Sequence, residues 1–190
     1  MLSKKYFQQI RQNLIGYAEK RREVIKEAGD AQHHAKRAIF ALQRGNETEA
    51  KESLSQAESR LVGLRKKFKD DEALFDEGVF RAATEEYVEA ILFRAFVNGE
   101  ELGEIKKIPV AADVYISGLA DVPGEIVRHA LKSATNRNFA EVKRSYAVAE
   151  EIIAELISMD LTGYHRQKFD QAKQSLHKLE QIVYEVSLKQ

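Results

Sequence analysis

The segments EEYVEAILF (residues 85–93) and YISGLADVPGEIVRH (residues 115–129) decide the predicted fold. Both lie in the most apolar parts of the chain, and neither alternates between polar and apolar residues as a half-buried strand does. Helix breakers are few, with two prolines in 190 residues, and Ala, Glu, Lys and Gln are frequent. The sequence therefore predicts an all-α protein.

The same two segments carry acidic residues at helical spacing. Glu86 and Glu89 are three residues apart, and Asp121 and Glu125 are four apart, so a helix places each pair on one face. A buried carboxylate is costly unless another group compensates its charge. Carboxylates that converge from two buried helices therefore indicate a cation between them, and oxygen ligands suit Mg²⁺ or Mn²⁺.

Helix signals extend outward from these segments. The first helix is predicted to begin after Ser3 and to stop at Gly45, and Asn46 with Glu49 forms a capping box for the second. The third is predicted over residues 72–98, and the fourth with Pro109 in its first turn. Two more helices are predicted after the fourth. We therefore expect residues 1–190 to form one domain of six to seven long, mostly antiparallel helices.

Composition excludes several classes of function. The 30 basic and 30 acidic residues balance, so only local clusters can attract nucleic acid. Without cysteine, the chain has no disulfide, no thiolate metal site and no cysteine nucleophile. No signal peptide and no apolar run of about 20 residues is present, so we expect a cytoplasmic protein without a membrane partner.

Four segments resemble the translin and translin-associated factor X family. They are AKRAIFALQR (35–44), EYVEA (86–90), YISGLADVPGEIVR (115–128) and LEQIVYEVS (179–187). The resemblance covers nearly the whole chain. It implies an all-helical fold and a hollow homo-oligomer, an octamer by analogy, that binds single-stranded RNA and single-stranded DNA.

The acidic positions distinguish the two branches of that family. Glu86, Glu89 and Asp121 match the translin-associated factor X branch, and Glu125 matches a neighbouring acidic position. The resemblance thus implies a Mg²⁺- or Mn²⁺-dependent endoribonuclease with these four residues as metal ligands and catalytic groups. The basic candidates for RNA contact lie on the two helices that carry the match: Arg11, Arg21, Lys36, Arg37 and Arg128.

Other interpretations of the acidic residues remain open at this point. Glu86 and Glu89 could reach solvent at the edge of a buried face, and Asp121 could cap a kink at Pro123. A di-metal oxidase is disfavoured, since the chain lacks the Glu-x-x-His motifs of such bundles. The alternative function is a non-catalytic shell that binds single-stranded RNA or DNA.

Overall fold

The computed structural model describes residues 1–188, and these form helices without any strand. This confirms the predicted all-α class. In the described range, no helix is both long and apolar enough to cross a membrane. The helices are α1 (Lys4–Arg44), α2 (Glu47–Lys67), α3 (Gly78–Asn98), α4 (Ala112–Thr135), α5 (Phe139–Ile157) and α6 (Gly163–Ser187), with a 3₁₀ turn at Glu72–Leu74.

The predicted turn between the first two helices is confirmed. Gly45 has a left-handed conformation with φ 80°, and its N–H donates to the carbonyl of Leu42 at 2.9 Å. The Asn46 side chain accepts a hydrogen bond from the N–H of Glu49 at 3.2 Å, which caps α2. The chain therefore reverses within a few residues, and α2 packs back along α1.

Two predicted boundaries are wrong. α3 begins at Gly78 instead of residue 72, because residues 72–74 form a separate 3₁₀ turn that places Leu74 in the core. Pro109 lies outside α4, in the segment 99–111, where its carbonyl accepts a hydrogen bond from Arg65 at 3.4 Å. α4 itself continues through Pro123.

Side-chain contacts define the helix directions. Arg60 pairs with Glu27 near the middle of α1 and α2, and Arg44 pairs with Glu49 at their junction, so these helices are antiparallel. α3 and α4 are instead parallel: Arg81 and Asp113 meet near their starts, whereas the rings of Phe96 and His129 lie 5.4 Å apart near their ends.

The fold consists of two halves, α1–α3 and α4–α6, each running up, down and up. The segment 99–111 joins them by returning along the length of α3, which is about 31 Å. Its 13 residues can span that distance, since an extended chain reaches about 43 Å. Tyr115 holds the segment by donating to the carbonyl of Gly103 at 2.9 Å. This return explains why consecutive helices α3 and α4 are parallel.

The halves meet where α3 and α4 approach closely at Gly118. A Cβ atom there would lie 2.7 Å from the carbonyl oxygen of Glu85 and 2.8 Å from the Cβ of Val88. Only glycine fits this contact without a shift of the backbone. The contact lies one turn before Asp121, so it sets the separation of the acidic residues on the two helices.

The first turns of α1 extend beyond the bundle. α1 has 41 residues, about 61 Å, whereas α2 has 21 and covers only the part of α1 that begins near Val24. From Tyr17 onward, α1 also contacts residues 71–77 before α3. We call residues 4–16 the overhang. Exposed apolar side chains occupy it, namely Tyr6, Phe7, Leu14 and Ile15.

Candidate functional site

The predicted acidic residues come together at the seam between the two halves. Because α3 and α4 are parallel, Glu86 and Glu89 on α3 lie level with Asp121 and Glu125 on α4. The carboxyl groups are close enough that three of them act electrostatically on the fourth, Glu89. We call Glu86, Glu89, Asp121 and Glu125 the carboxylate cluster.

Glu89 is the central and most buried member. Its residue is 9% exposed, so the interpretation that it reaches solvent at the edge of a buried face is wrong. Burial raises the pKa of Glu89 to about 9, and repulsion from Asp121, Glu86 and Glu125 adds to the shift. The folded protein therefore keeps a carboxyl group where an ionised one is poorly tolerated.

Asp121 lies inside α4 and is not a helix cap. It pairs with Lys168 of α6, whose Nζ also donates to Oε1 of Glu85 at 2.6 Å. Burial lowers the pKa of Lys168, but the hydrogen bonds to both acids outweigh burial and raise it. For Asp121 the balance is reversed, because burial raises the pKa of its carboxyl group more than the contact with Lys168 lowers it. Lys168 thus supplies a positive charge that only partly balances the cluster.

The outer members of the cluster contact α1. Lys36 lies 3.6 Å from Oε2 of Glu86, whose pKa is raised by burial despite this ammonium group. The amide of Gln43 donates to Oε2 of Glu125 at 2.8 Å, and Arg128 donates to both oxygens of Glu125 at 3.0 and 3.1 Å. Glu125 is therefore held in one orientation.

The donor chemistry fits a hard divalent cation. The cluster offers only carboxylate oxygens, and repulsion around Glu89 indicates a deficit of positive charge that such an ion relieves. Glu86, Glu89, Asp121 and Glu125 are the residues that would hold it. In the part of the chain that the structure describes, no group of three or more His, Asp or Glu side chains is positioned as it stands to coordinate a metal ion.

The predicted basic residues divide into two groups. Lys36, Arg37 and Arg128 surround the cluster or the α1 surface beside it, where Lys36 contacts Glu86 and Arg128 contacts Glu125. Arg21 instead pairs with Glu77 at 2.7 Å, and Arg11 is exposed on the overhang. Arg21 is about 22 Å along α1 from Lys36, so the structure does not bring these two predicted groups together.

Three residues that contact the carboxylate cluster were not predicted from the sequence, namely Lys168, Glu85 and Gln43. Lys168 precedes the buried Phe169 of α6, and in the sequence it resembles any lysine at the edge of an apolar stripe. Only the parallel packing of α6 on α4 shows that it meets Asp121. Gln43 falls within the resembling segment 35–44, which was the one available signal for its role.

A stability measurement tests the burial of Glu89. In EDTA, Glu89→Gln is expected to stabilise the fold by about 2 kcal/mol at pH 7, because the variant has no proton to bind on folding. In the wild type the pKa rises from 4.5 to about 9 on folding, so its free energy of unfolding falls as the pH rises between these values. Urea unfolding at pH 5, 7 and 9 should show this slope in the wild type and a smaller one in the variant.

The exposed Glu52 provides the matched control. Glu52→Gln should leave both the stability and its pH dependence unchanged. Equal slopes for the wild type and Glu89→Gln would contradict the burial of a raised-pKa carboxyl group.

Solved structures with this fold include those of two C3PO proteins. The structure of apo-NeC3PO has a TM-score of 0.85 at 18% identity and covers 97% of each chain. AfC3PO has a TM-score of 0.89 at 23% identity, and its complex with duplex RNA has 0.85 at 23%; each covers 97% of this chain and 98% of that one. These similarities show the fold.

Sequence comparison gives a relative and a family. An uncharacterized protein of Methanocaldococcus jannaschii is 32% identical over 89 residues, which is 46% of this chain. The match spans only 39% of that relative's length. The sequence model of the Translin family matches residues 19–190. Together with the six-helix fold, this match shows that the chain belongs to the translin family.

Proposed function

We propose that this chain is a metal-dependent endoribonuclease that acts on single-stranded RNA and is closer to the translin-associated factor X branch of its family. The carboxylate cluster carries this proposal. Three acidic groups from two helices surround the buried Glu89, although such repulsion lowers the stability of the fold. A protein retains a destabilising cluster of this kind most readily where it is needed for function.

Each residue of the site has a proposed role. Glu86, Glu89 and Asp121 would hold one or two Mg²⁺ or Mn²⁺ ions. When bound, these ions would polarise a phosphoryl oxygen of the RNA and lower the pKa of a bound water. Glu125, oriented by Gln43 and Arg128, acts as a further ligand or as the base that orients water. Lys36 can turn from Glu86 toward the phosphates of the bound strand. Arg128 contacts Glu125 through one amino group, so its other N–H donors can bind a phosphate at the same time.

RNA as the partner is supported by the related fold. AfC3PO, which has this fold, was solved in complex with duplex RNA. For this chain we propose single-stranded RNA as the substrate and single-stranded DNA as a second ligand. A balanced net charge restricts the contact to local basic groups.

The direct test is a cleavage assay with labelled single-stranded RNA. The wild type should cleave the RNA with Mg²⁺ or Mn²⁺ and lose this activity in EDTA. Cleavage that persists in EDTA would reject the metal requirement, whereas tight RNA binding without cleavage under any condition would reject the enzyme.

Lys168 favours a second candidate function. This ammonium group already pairs with Asp121 and Glu85, so the cluster is partly neutralised without a metal. An oligomeric shell that binds single-stranded RNA or DNA without cutting it would need only this partial neutralisation and no metal ion. Lys168→Met distinguishes the two, because it should strengthen metal binding in the enzyme and weaken RNA binding in the shell.

We also propose that the chain forms a hollow homo-oligomer in which the overhang contacts a second copy. The overhang carries Lys4, Lys5 and Arg11 and no acid before Glu19. A groove of about 530 Å³ along α4 and α5 has an apolar lining and an acidic rim made by Glu100, Glu101, Glu151 and Glu155. Opposite charge and apolar surface on both parts support their contact. Head-to-tail contacts of this kind form a ring when the rotation between successive copies closes.

Light scattering tests this assembly. The wild type should be an oligomer at micromolar concentration, and Phe7→Glu combined with Leu14→Glu should reduce its mass. Val62→Glu adds a charge at an exposed apolar position of α2 and serves as the control. A monomeric wild type would contradict the oligomer, and an unchanged double variant would contradict the role of the overhang.

A further inference from the structure

Phe40 is a large aromatic residue that is exposed to solvent near the C-terminal end of α1. It is 56% exposed, whereas Ile39 and Ala41 beside it are buried. It lies in the half of α1 that packs on the bundle, so it does not belong to the overhang. Burial within the described chain therefore does not explain this side chain.

Basic groups flank the ring of Phe40. The guanidinium carbon of Arg128 lies 5.3 Å from the ring centre, and Arg128 is itself held by Glu125. Away from Arg128, Phe40 lines a groove of about 370 Å³ along α1. The other residues that line this groove are His33, Lys36, Arg37, Arg44 and Glu49.

Phe40 also lies beside the carboxylate cluster. Lys36, one turn earlier on α1, reaches Glu86 at 3.6 Å. Gln43, three residues later, binds Glu125 at 2.8 Å. Lys36 and Gln43, which connect α1 to the cluster, therefore lie on either side of Phe40 along the helix.

We propose that Phe40 is a stacking platform for one unpaired nucleobase of a strand held at the carboxylate cluster. An exposed aromatic ring among cations is the arrangement that proteins use for single strands, since every base has a π-face and each base is followed by a phosphate. The bases of a duplex are already stacked in pairs, so the platform selects single-stranded over double-stranded RNA. This inference rests on the proposed action on RNA, but it concerns binding and not cleavage.

A tryptophan at position 40 reports stacking directly. The chain contains no tryptophan, so Phe40→Trp introduces a single indole fluorophore. Addition of a uridine 12-mer in EDTA should quench its fluorescence in step with binding measured by anisotropy of labelled RNA. Tyr184→Trp, on the exposed surface of α6, is the matched control and should not respond. Binding without quenching at position 40 would overturn the proposal.

A second set of variants measures the contribution of the ring. Phe40→Ala should weaken binding of the 12-mer about tenfold, and Phe40→Tyr should restore it. An abasic strand of the same length should bind wild type and Phe40→Ala equally, because only its phosphates contact the protein. Equal affinity of wild type and Phe40→Ala for the 12-mer would overturn the proposal.

The outcomes separate this inference from the proposed enzyme. Quenching at position 40 in a wild-type protein that never cleaves RNA would reject the nuclease and keep the platform. Metal-dependent cleavage that is indifferent to Phe40→Ala, with unchanged RNA affinity, would keep the nuclease and reject the platform.

Discussion

Asp121→Asn is expected to reduce metal-dependent RNA cleavage about 100-fold or more. The amide has nearly the size of the carboxyl group but lacks the charge that a divalent cation requires. The fold should persist, because Lys168 keeps its second acidic partner, Glu85, at 2.6 Å. Cleavage of labelled single-stranded RNA in Mg²⁺ and Mn²⁺ measures the loss, and anisotropy measures RNA binding, which should change by less than about threefold.

Asp113→Asn is the matched control for this variant. Asp113 lies on the same helix and pairs with Arg81 on the exposed surface, away from the carboxylate cluster. Its replacement should leave cleavage unchanged and cost at most about 1 kcal/mol of stability. Full activity of a well-folded Asp121→Asn protein would remove Asp121 from the proposed metal site.

Gly118→Ala is expected to damage both the fold and the site. The added methyl group would meet the backbone carbonyl of Glu85 at 2.7 Å, and a backbone atom cannot rotate away as a flexible side chain can. Overpacking of this kind costs about 1–3 kcal/mol. The resulting shift of α4 from α3 would also move Asp121 away from Glu89, so cleavage should fall by more than the loss of stability explains.

Gly124→Ala makes the same chemical change two turns later on α4. The nearest neighbour of a methyl group there is the hydroxyl oxygen of Ser175 at 4.0 Å, which is an ordinary van der Waals contact. Because alanine favours a helix over glycine, this control should be neutral or stabilising by up to about 1 kcal/mol. Urea unfolding and the cleavage assay, run on both variants, compare the two positions. Similar behaviour of the two would contradict a tight seam at Gly118.

Local patterns predicted much of this structure. The spacing of the acidic pairs on two apolar helices placed Glu86, Glu89, Asp121 and Glu125 on faces that the fold does bring together. The boundary between α1 and α2 could be predicted because Gly45 and Asn46 act through bonds to their immediate neighbours. Whether the cluster holds a metal stays a prediction.

Long-range packing could not be predicted from those patterns. Helical periodicity identifies the face of a helix that is buried, but it does not give the direction of the helix that packs on that face. The parallel pairing of α3 with α4 could therefore not be predicted. The partnership of Lys168 with Asp121 joins residues 47 positions apart and depends on that pairing. Phe40 is 56% exposed whereas the adjacent Ile39 is buried, and neither residue was singled out from the sequence.

The return of the segment 99–111 also has a kinetic consequence. Within each half, short connections join successive helices, so most contacts form between residues that are near in sequence and form early. The seam between α3 and α4 requires closure of the longer segment, and the carboxylate cluster adds repulsion at that point. The halves should therefore assemble first and dock last, which makes the seam the first of the buried helix interfaces to open in hydrogen exchange.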